Sequence, residues 1–154
     1  MTDIIATTQP FTLFMVAQFT VIDAQPARLV GDTGGNTVAK LNGTPVSNIS
    51  AQVNLGGSTP AALANPAPLD TTNPFILVWQ WVSGTGVSLS FNGATPTTTS
   101  GTGTLFHPGE FYLPSGQPNF KCRYDLFELI VCSGSSAGLD AATQAQAGVY
   151  LAAR

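Results

Sequence analysis

With 154 residues, 44% of them hydrophobic and only 8% charged, the chain suits one domain with its own core. It is too apolar and too weakly charged for disorder. Its formal net charge is −3, and its five basic residues, Arg28, Lys40, Lys121, Arg123 and Arg154, are scattered. That excludes the basic patch nucleic-acid binding requires, and no run approaches the roughly 18 apolar residues of a membrane-spanning helix.

The opening MTDIIATTQP has neither a basic stretch nor a long apolar run, so no secretory signal is expected. Asn42-Gly-Thr44 and Asn48-Ile-Ser50 match the N-glycosylation pattern, which is read as chance in a chain without that route. Strict alternation begins at once: Phe11, Leu13, Met15, Ala17, Phe19 and Val21 form one apolar face, with Thr12, Gln18 and Thr20 opposite. This pattern predicts a long strand over 11–21. Further strands are predicted at 28–31, 37–42 and 48–55, the last with Ile49, Ala51, Val53 and Leu55 alternating with Ser50, Gln52 and Asn54. Then come 74–83 and 86–92, where Val87, Leu89 and Phe91 alternate with Ser88, Ser90 and Asn92 before Asn92-Gly93 turns the chain. Strands at 110–114 and 122–132 complete the set. Segments rich in Gly and Pro, such as GGSTPAALANPAPLDTTNP and TPTTTSGTGT, are read as separators. At the C-terminus Asp140 is a helix N-cap, followed by Ala142, Ala145, Val149 and Ala152 at helical spacing, a face expected to pack on the sheets. Eight strands and one terminal helix predict an all-β, antiparallel two-sheet sandwich forming a single domain over 1–154.

Cys122 and Cys132 sit on one predicted strand, about 33 Å apart at ~3.3 Å per residue, whereas a disulfide needs Cα atoms within about 7 Å. Two free thiols are therefore expected, in keeping with synthesis in a cytoplasm.

The hairpin PFILVWQWVSGTGVSLSFNGA, the tail FELIVCSGSSAGLDAATQAQAGVYLAA and the early strand FTLFMVAQF together resemble the concanavalin A-like (laminin-G-like) jelly-roll family, in its phage and bacterial branch. The resemblance covers most of the chain. The curtailed N-terminal strands and the long segment before Pro74 have no counterpart in it. It implies a jelly-roll topology and a structural role for Glu128, which would hydrogen-bond neighbouring loop backbone. Function does not follow, because this superfold hosts enzymes, lectins and structural modules alike.

The family's glucanases place two carboxylates on one strand, both facing a cleft. Such an enzyme needs its carboxyl groups roughly 5–9.5 Å apart. The closest pair here is Asp125 and Glu128, which simple alternation sends to opposite faces; on that ground no catalytic pair is expected. His107 stands alone before Pro108, and Asp23, Asp32 and Asp70 lie in separate segments, so neither a catalytic histidine nor a calcium site is expected, and no cofactor.

Trp79 and Trp81 have two readings. A four-residue turn over 83–86 sets Val82 against Val87, Gln80 against Leu89 and Val78 against Phe91, which leaves both tryptophans on the polar face above Ser88 and Ser90. With Phe75 they would then form a protein interface or a sugar-stacking platform. An odd-length loop with a bulge buries both instead. In either case 75–82 is apolar on both faces, so its outer side must be covered. Asn92 and Gly93 are expected to act structurally, as the turn.

Few charges, a single domain and no catalytic constellation lead to the expectation of a non-enzymatic virion protein. The first reading is a capsid decoration or cement protein of a tailed bacteriophage, made in the host cytoplasm and held on the capsid surface by the major capsid protein, another virion protein, or sister subunits. The alternative is a carbohydrate-binding or receptor-binding module of a virion appendage or bacterial surface protein.

Overall fold

The computed structural model describes residues 10–22, 28–32, 37–42, 48–64, 69–82, 84–103, 105, 111–112, 123–133 and 149. They form ten strands: β1 (Phe11–Val21), β2 (Arg28–Asp32), β3 (Val38–Asn42), β4 (Asn48–Gln52), β5 (Ala61–Ala64), β6 (Phe75–Val82), β7 (Gly86–Phe91), β8 (Thr97–Thr99), β9 (Phe111–Tyr112) and β10 (Arg123–Ser133). All pairings are antiparallel, in two five-stranded sheets ordered β10-β1-β6-β7-β8 and β5-β4-β3-β2-β9. The chain is thus all-β with a two-layered, sandwich-like build.

The alternating face of β1 is buried as its pattern predicts except at Val21, which lies past a register shift and is 42% exposed. Phe11, Leu13, Met15, Ala17 and Phe19 join Leu29, Leu41, Ile49, Leu77 and Leu89 in a core cluster fed by both sheets. Burying side chains of this size contributes about 1.5–3 kcal/mol each before entropy is counted. Phe19 stacks on Phe75 with ring centroids 4.4 Å apart, and Phe75 on Phe91 at 5.4 Å. Phe11 meets Trp79 edge-to-face at 5.0 Å.

The apolar outer side of β6 has a second, smaller cluster. Phe14 and Val16 of β1 are buried there with Ile76, Val78 and Ile130 packed against them, on the side of that sheet facing away from the main core. Ile76 and Val78 of β6 are thus apolar for a reason alternation alone does not supply.

Side chains tie the two layers along both long sides. The hydroxyls of Thr97 and Thr99 on β8 donate to the carbonyls of Leu63 and Ala61 on β5 (2.5 and 2.7 Å). These β5 carbonyls belong to an edge strand and would otherwise lack partners within the sheets. On the other side the Tyr124 hydroxyl of β10 donates to the carbonyl of Leu29 on β2.

β5 and β8 lie within segments read as separators. Alanines have low strand preference and threonines here sit among Gly and Pro, so neither stretch shows the alternation of large side chains that marks a strand. Gly86 lets β8 approach: a Cβ there would lie 2.1 Å from the Thr99 carbonyl oxygen, and its φ is +117°. Of the predicted C-terminal helix, only Val149 is among the described residues. It is helical but 71% exposed, so the apolar spacing that groups it with Ala142 and Ala145 does not bury it. Asp23, His107, Cys122 and Asp140 lie outside the described residues; Cys132 is a half-buried free thiol.

Candidate functional site

The turn between β6 and β7 decides where the tryptophans go. Val82 pairs with Gly86, leaving three residues between them, and the register continues Trp81↔Val87, Trp79↔Leu89, Leu77↔Phe91. The loop is odd in length, with Gly84 at φ +83° and a hydrogen bond from Thr85 N to Val82 O (3.0 Å). Trp79, Trp81 and Phe75 therefore face the core at 0, 1 and 2% exposure. The outer-face placement of these three, as interface or glycan contacts, is corrected: they are structural, and Gln80 and Ser88 take the outer positions.

Asn92 and Gly93 form the expected turn at the other end of β7. Asn92 adopts φ +50° and Gly93 φ +73°, left-handed conformations that Asn and Gly tolerate best. The Ile76 N–H donates to Asn92 Oδ1 (2.7 Å) and the Asn92 N–H to the Ile76 carbonyl (2.8 Å), so the turn clips the start of β6.

β10 departs from simple alternation. Val16 pairs with Glu128, but Ala17 pairs with Leu126, which leaves Phe127 as an extra residue, a β-bulge. The bulge switches parity. Tyr124 lies opposite the core-facing Phe19, whereas Glu128, Ile130 and Cys132 lie opposite Val16, Phe14 and Thr12 on the outer face. Asp125 pairs with Gln18, also an outer position, so Asp125 and Glu128 share a face. Their β1 neighbours are two residues apart, about 7 Å between Cα positions along a strand. The exclusion of a carboxylate pair by alternation is therefore overturned.

The surroundings of the pair are mixed. Asp125 is exposed and Glu128 half-buried, Leu126 is 37% and Phe127 58% exposed. Beside Asp125, Gln18 Nε2 donates to the carbonyls of Thr71 and Thr72 (3.0 and 3.3 Å), which anchors the 70–73 turn. Within that turn the Asn73 main-chain N–H, the Asn73 side-chain amide and the Thr72 N–H hold the Asp70 carboxyl below the usual aspartate range. Asp32 is buried and accepts from the Thr37 N–H (2.8 Å), a structural cap on the β2–β3 connection. Among the described residues no three His, Cys, Asp or Glu side chains form a group able to hold a metal ion.

The most exposed apolar surface among the described strands is thus at the bulge of β10, with two carboxylates beside it. No signal in the sequence marked Phe127 as the extra residue, because a run of apolar residues hides where the period slips. No protein-family model matches the chain, and no curated protein matches its sequence.

Proposed function

We propose that this chain is a non-enzymatic structural subunit of a virus particle, a decoration or cement protein on a concanavalin A-like jelly roll, working through protein–protein contacts at the bulge of β10. The observation that carries the reading is the exposure of Leu126 and Phe127, consecutive large apolar residues at the bulge of an edge strand and members of neither core cluster. Buried aromatic anchors dominate interface energetics. Clustered exposed apolar side chains mark interaction sites more often than isolated ones do.

The bulge and the flanking charges discourage continuation of the sheet across this edge, so the contact is one of side chains rather than added strand pairing. Arg123 lies near the start of β10 and Asp125 and Glu128 further along it. A strand carrying both signs is complementary to a second copy of itself under a two-fold axis. With 8% charged residues overall, repulsion between copies is weak.

A second reading draws on the parity switch. Asp125, Glu128 and the exposed Phe127 ring make an acceptor pair beside an aromatic surface, an arrangement suited to sugar hydroxyls and ring faces. In this reading the chain is a carbohydrate-binding module. Co-sedimentation with purified phage particles, run beside a glycan array and a β-glucan hydrolysis assay, separates the readings. Particle binding without glycan binding or turnover supports the structural role. Glycan binding lost in Asp125→Asn supports the module, and turnover abolished by Glu128→Gln would refute both.

A further inference from the structure

The chain contains two Asn-Gly pairs, Asn42-Gly43 and Asn92-Gly93, and their surroundings differ. Asn-Gly is the dipeptide in which the next main-chain nitrogen reaches the side-chain amide with least steric hindrance. Asn42 is half-buried in β3, and its Nδ2 donates to both Asn48 Oδ1 (3.0 Å) and Ser50 Oγ (2.6 Å). Two acceptors hold the nitrogen that would have to leave. Asn92 is exposed, and there it is the carbonyl oxygen that is engaged, by the Ile76 N–H at 2.7 Å. A donor on that oxygen draws electron density from Cγ and stabilises the negative charge that develops on Oδ1 when Cγ is attacked, as an oxyanion-hole donor does.

We propose that Asn92 is a site of spontaneous main-chain-mediated deamidation, selected over Asn42 by this difference in hydrogen bonding. The Gly93 nitrogen attacks Asn92 Cγ; the new N–Cγ bond forms and the Cγ–Nδ2 bond breaks. Nδ2 leaves as ammonia, carrying the proton that Gly93 N gives up. Water then opens the resulting succinimide at Cγ, giving aspartate, or at the Asn92 main-chain carbonyl, giving isoaspartate. No oxidant or cofactor enters: the amide and one water become a carboxylate and ammonium.

The attack requires the left-handed Asn92 backbone, at φ +50°, to rotate so that Gly93 N swings under Cγ. The turn has room for this, since a side chain at Gly93 would meet nothing within 4 Å. Aspartate would keep an acceptor for the Ile76 N–H. Isoaspartate adds a methylene to the main chain between β7 and β8, and so breaks the reciprocal Asn92–Ile76 clip beside the Phe75–Phe91 stack. Either product adds a negative charge to a chain of formal charge −3.

The test is prolonged incubation of the full folded chain in mildly alkaline buffer, with peptide mapping by mass spectrometry at both Asn-Gly pairs. The same chain held unfolded in urea serves as the reference. Folding is expected to raise the ratio of Asn92 to Asn42 conversion by about tenfold or more, the rate factor equivalent to roughly one net hydrogen bond in the barrier. The Asn92 product should include isoaspartate. A ratio in the folded protein equal to or below that in urea would overturn the proposal, as would conversion of Asn42 alone. Because the ratio is internal, a uniform slowing by folding leaves the result readable.

Discussion

Replacing Trp79 with alanine is expected to cost about 3–5 kcal/mol, the range for removing a buried aromatic. Three observations put it toward the upper end. Trp79 is 0% exposed, it lies opposite Leu13 on one side and Leu89 on the other, and it makes the edge-to-face contact with Phe11. That contact alone is worth about 0.5–1.5 kcal/mol beyond area burial. Neighbouring strands are fixed by their own ladders, so the space would not readily collapse. Against a typical total of roughly 5–15 kcal/mol, a loss near the upper end removes about a third or more of the stability. Urea unfolding followed by circular dichroism is the assay. With a slope of about 2 kcal/mol/M, the midpoint should fall by roughly 2 M. A loss under about 1 kcal/mol at unchanged slope would refute the core placement and restore the outer-face reading of both tryptophans.

Gly86→Ala should destabilise by at least about 2 kcal/mol, because the added Cβ meets the Thr99 carbonyl oxygen and the φ of +117° disfavours an L side chain; a thermal melt unchanged from the parent would contradict this. Tyr124→Phe should cost about 1–2 kcal/mol by leaving the Leu29 carbonyl without the hydroxyl that reaches it from β10, read in the same urea assay; an unshifted midpoint would show that tie to be dispensable. The Asp70 carboxyl, lowered first by the Asn73 N–H, favours the folded 70–73 turn above the ordinary aspartate pKa and loses that contribution as pH falls through its own lower value. Amide NMR of Thr72 and Asn73 should therefore titrate below the usual aspartate range, and a midpoint at or above that range would refute the hydrogen-bonded turn.

Those strands whose large side chains alternate were legible in the sequence: β1 and β7 read directly, and β6 showed through its double apolar character. The strands expected at 28–31, 37–42, 48–55, 110–114 and 122–132 also have counterparts, in β2, β3, β4, β9 and β10; what escaped did so for identifiable reasons. Whether Trp79 and Trp81 face in or out depends on the parity of a turn, and Ser83 to Gly86 can close as a three- or a four-residue loop with the same composition. β5 and β8 are built from Ala and Thr, whose value lies in close approach and in hydroxyl bonds to the opposite sheet rather than in apolar area. The parity switch at Phe127 is invisible for the same reason that β10 is easy to recognise as a strand: LFELIV is apolar nearly throughout, so an extra residue leaves no gap in the pattern. The candidate site was therefore displaced, from buried tryptophans to the bulge two strands along the same sheet order.

Assembly through the bulge of β10 is tested most directly by sedimentation velocity of the purified chain beside its Phe127→Ser variant. Phe127 is 58% exposed and outside both core clusters, so the substitution should leave the unfolding free energy from the urea assay within about 0.5 kcal/mol of the parent. The parent is expected to sediment as a closed oligomer, and Phe127→Ser, equally folded, as a monomer. A parent that stays monomeric at high concentration, or an oligomer indifferent to Phe127→Ser, would contradict this expectation.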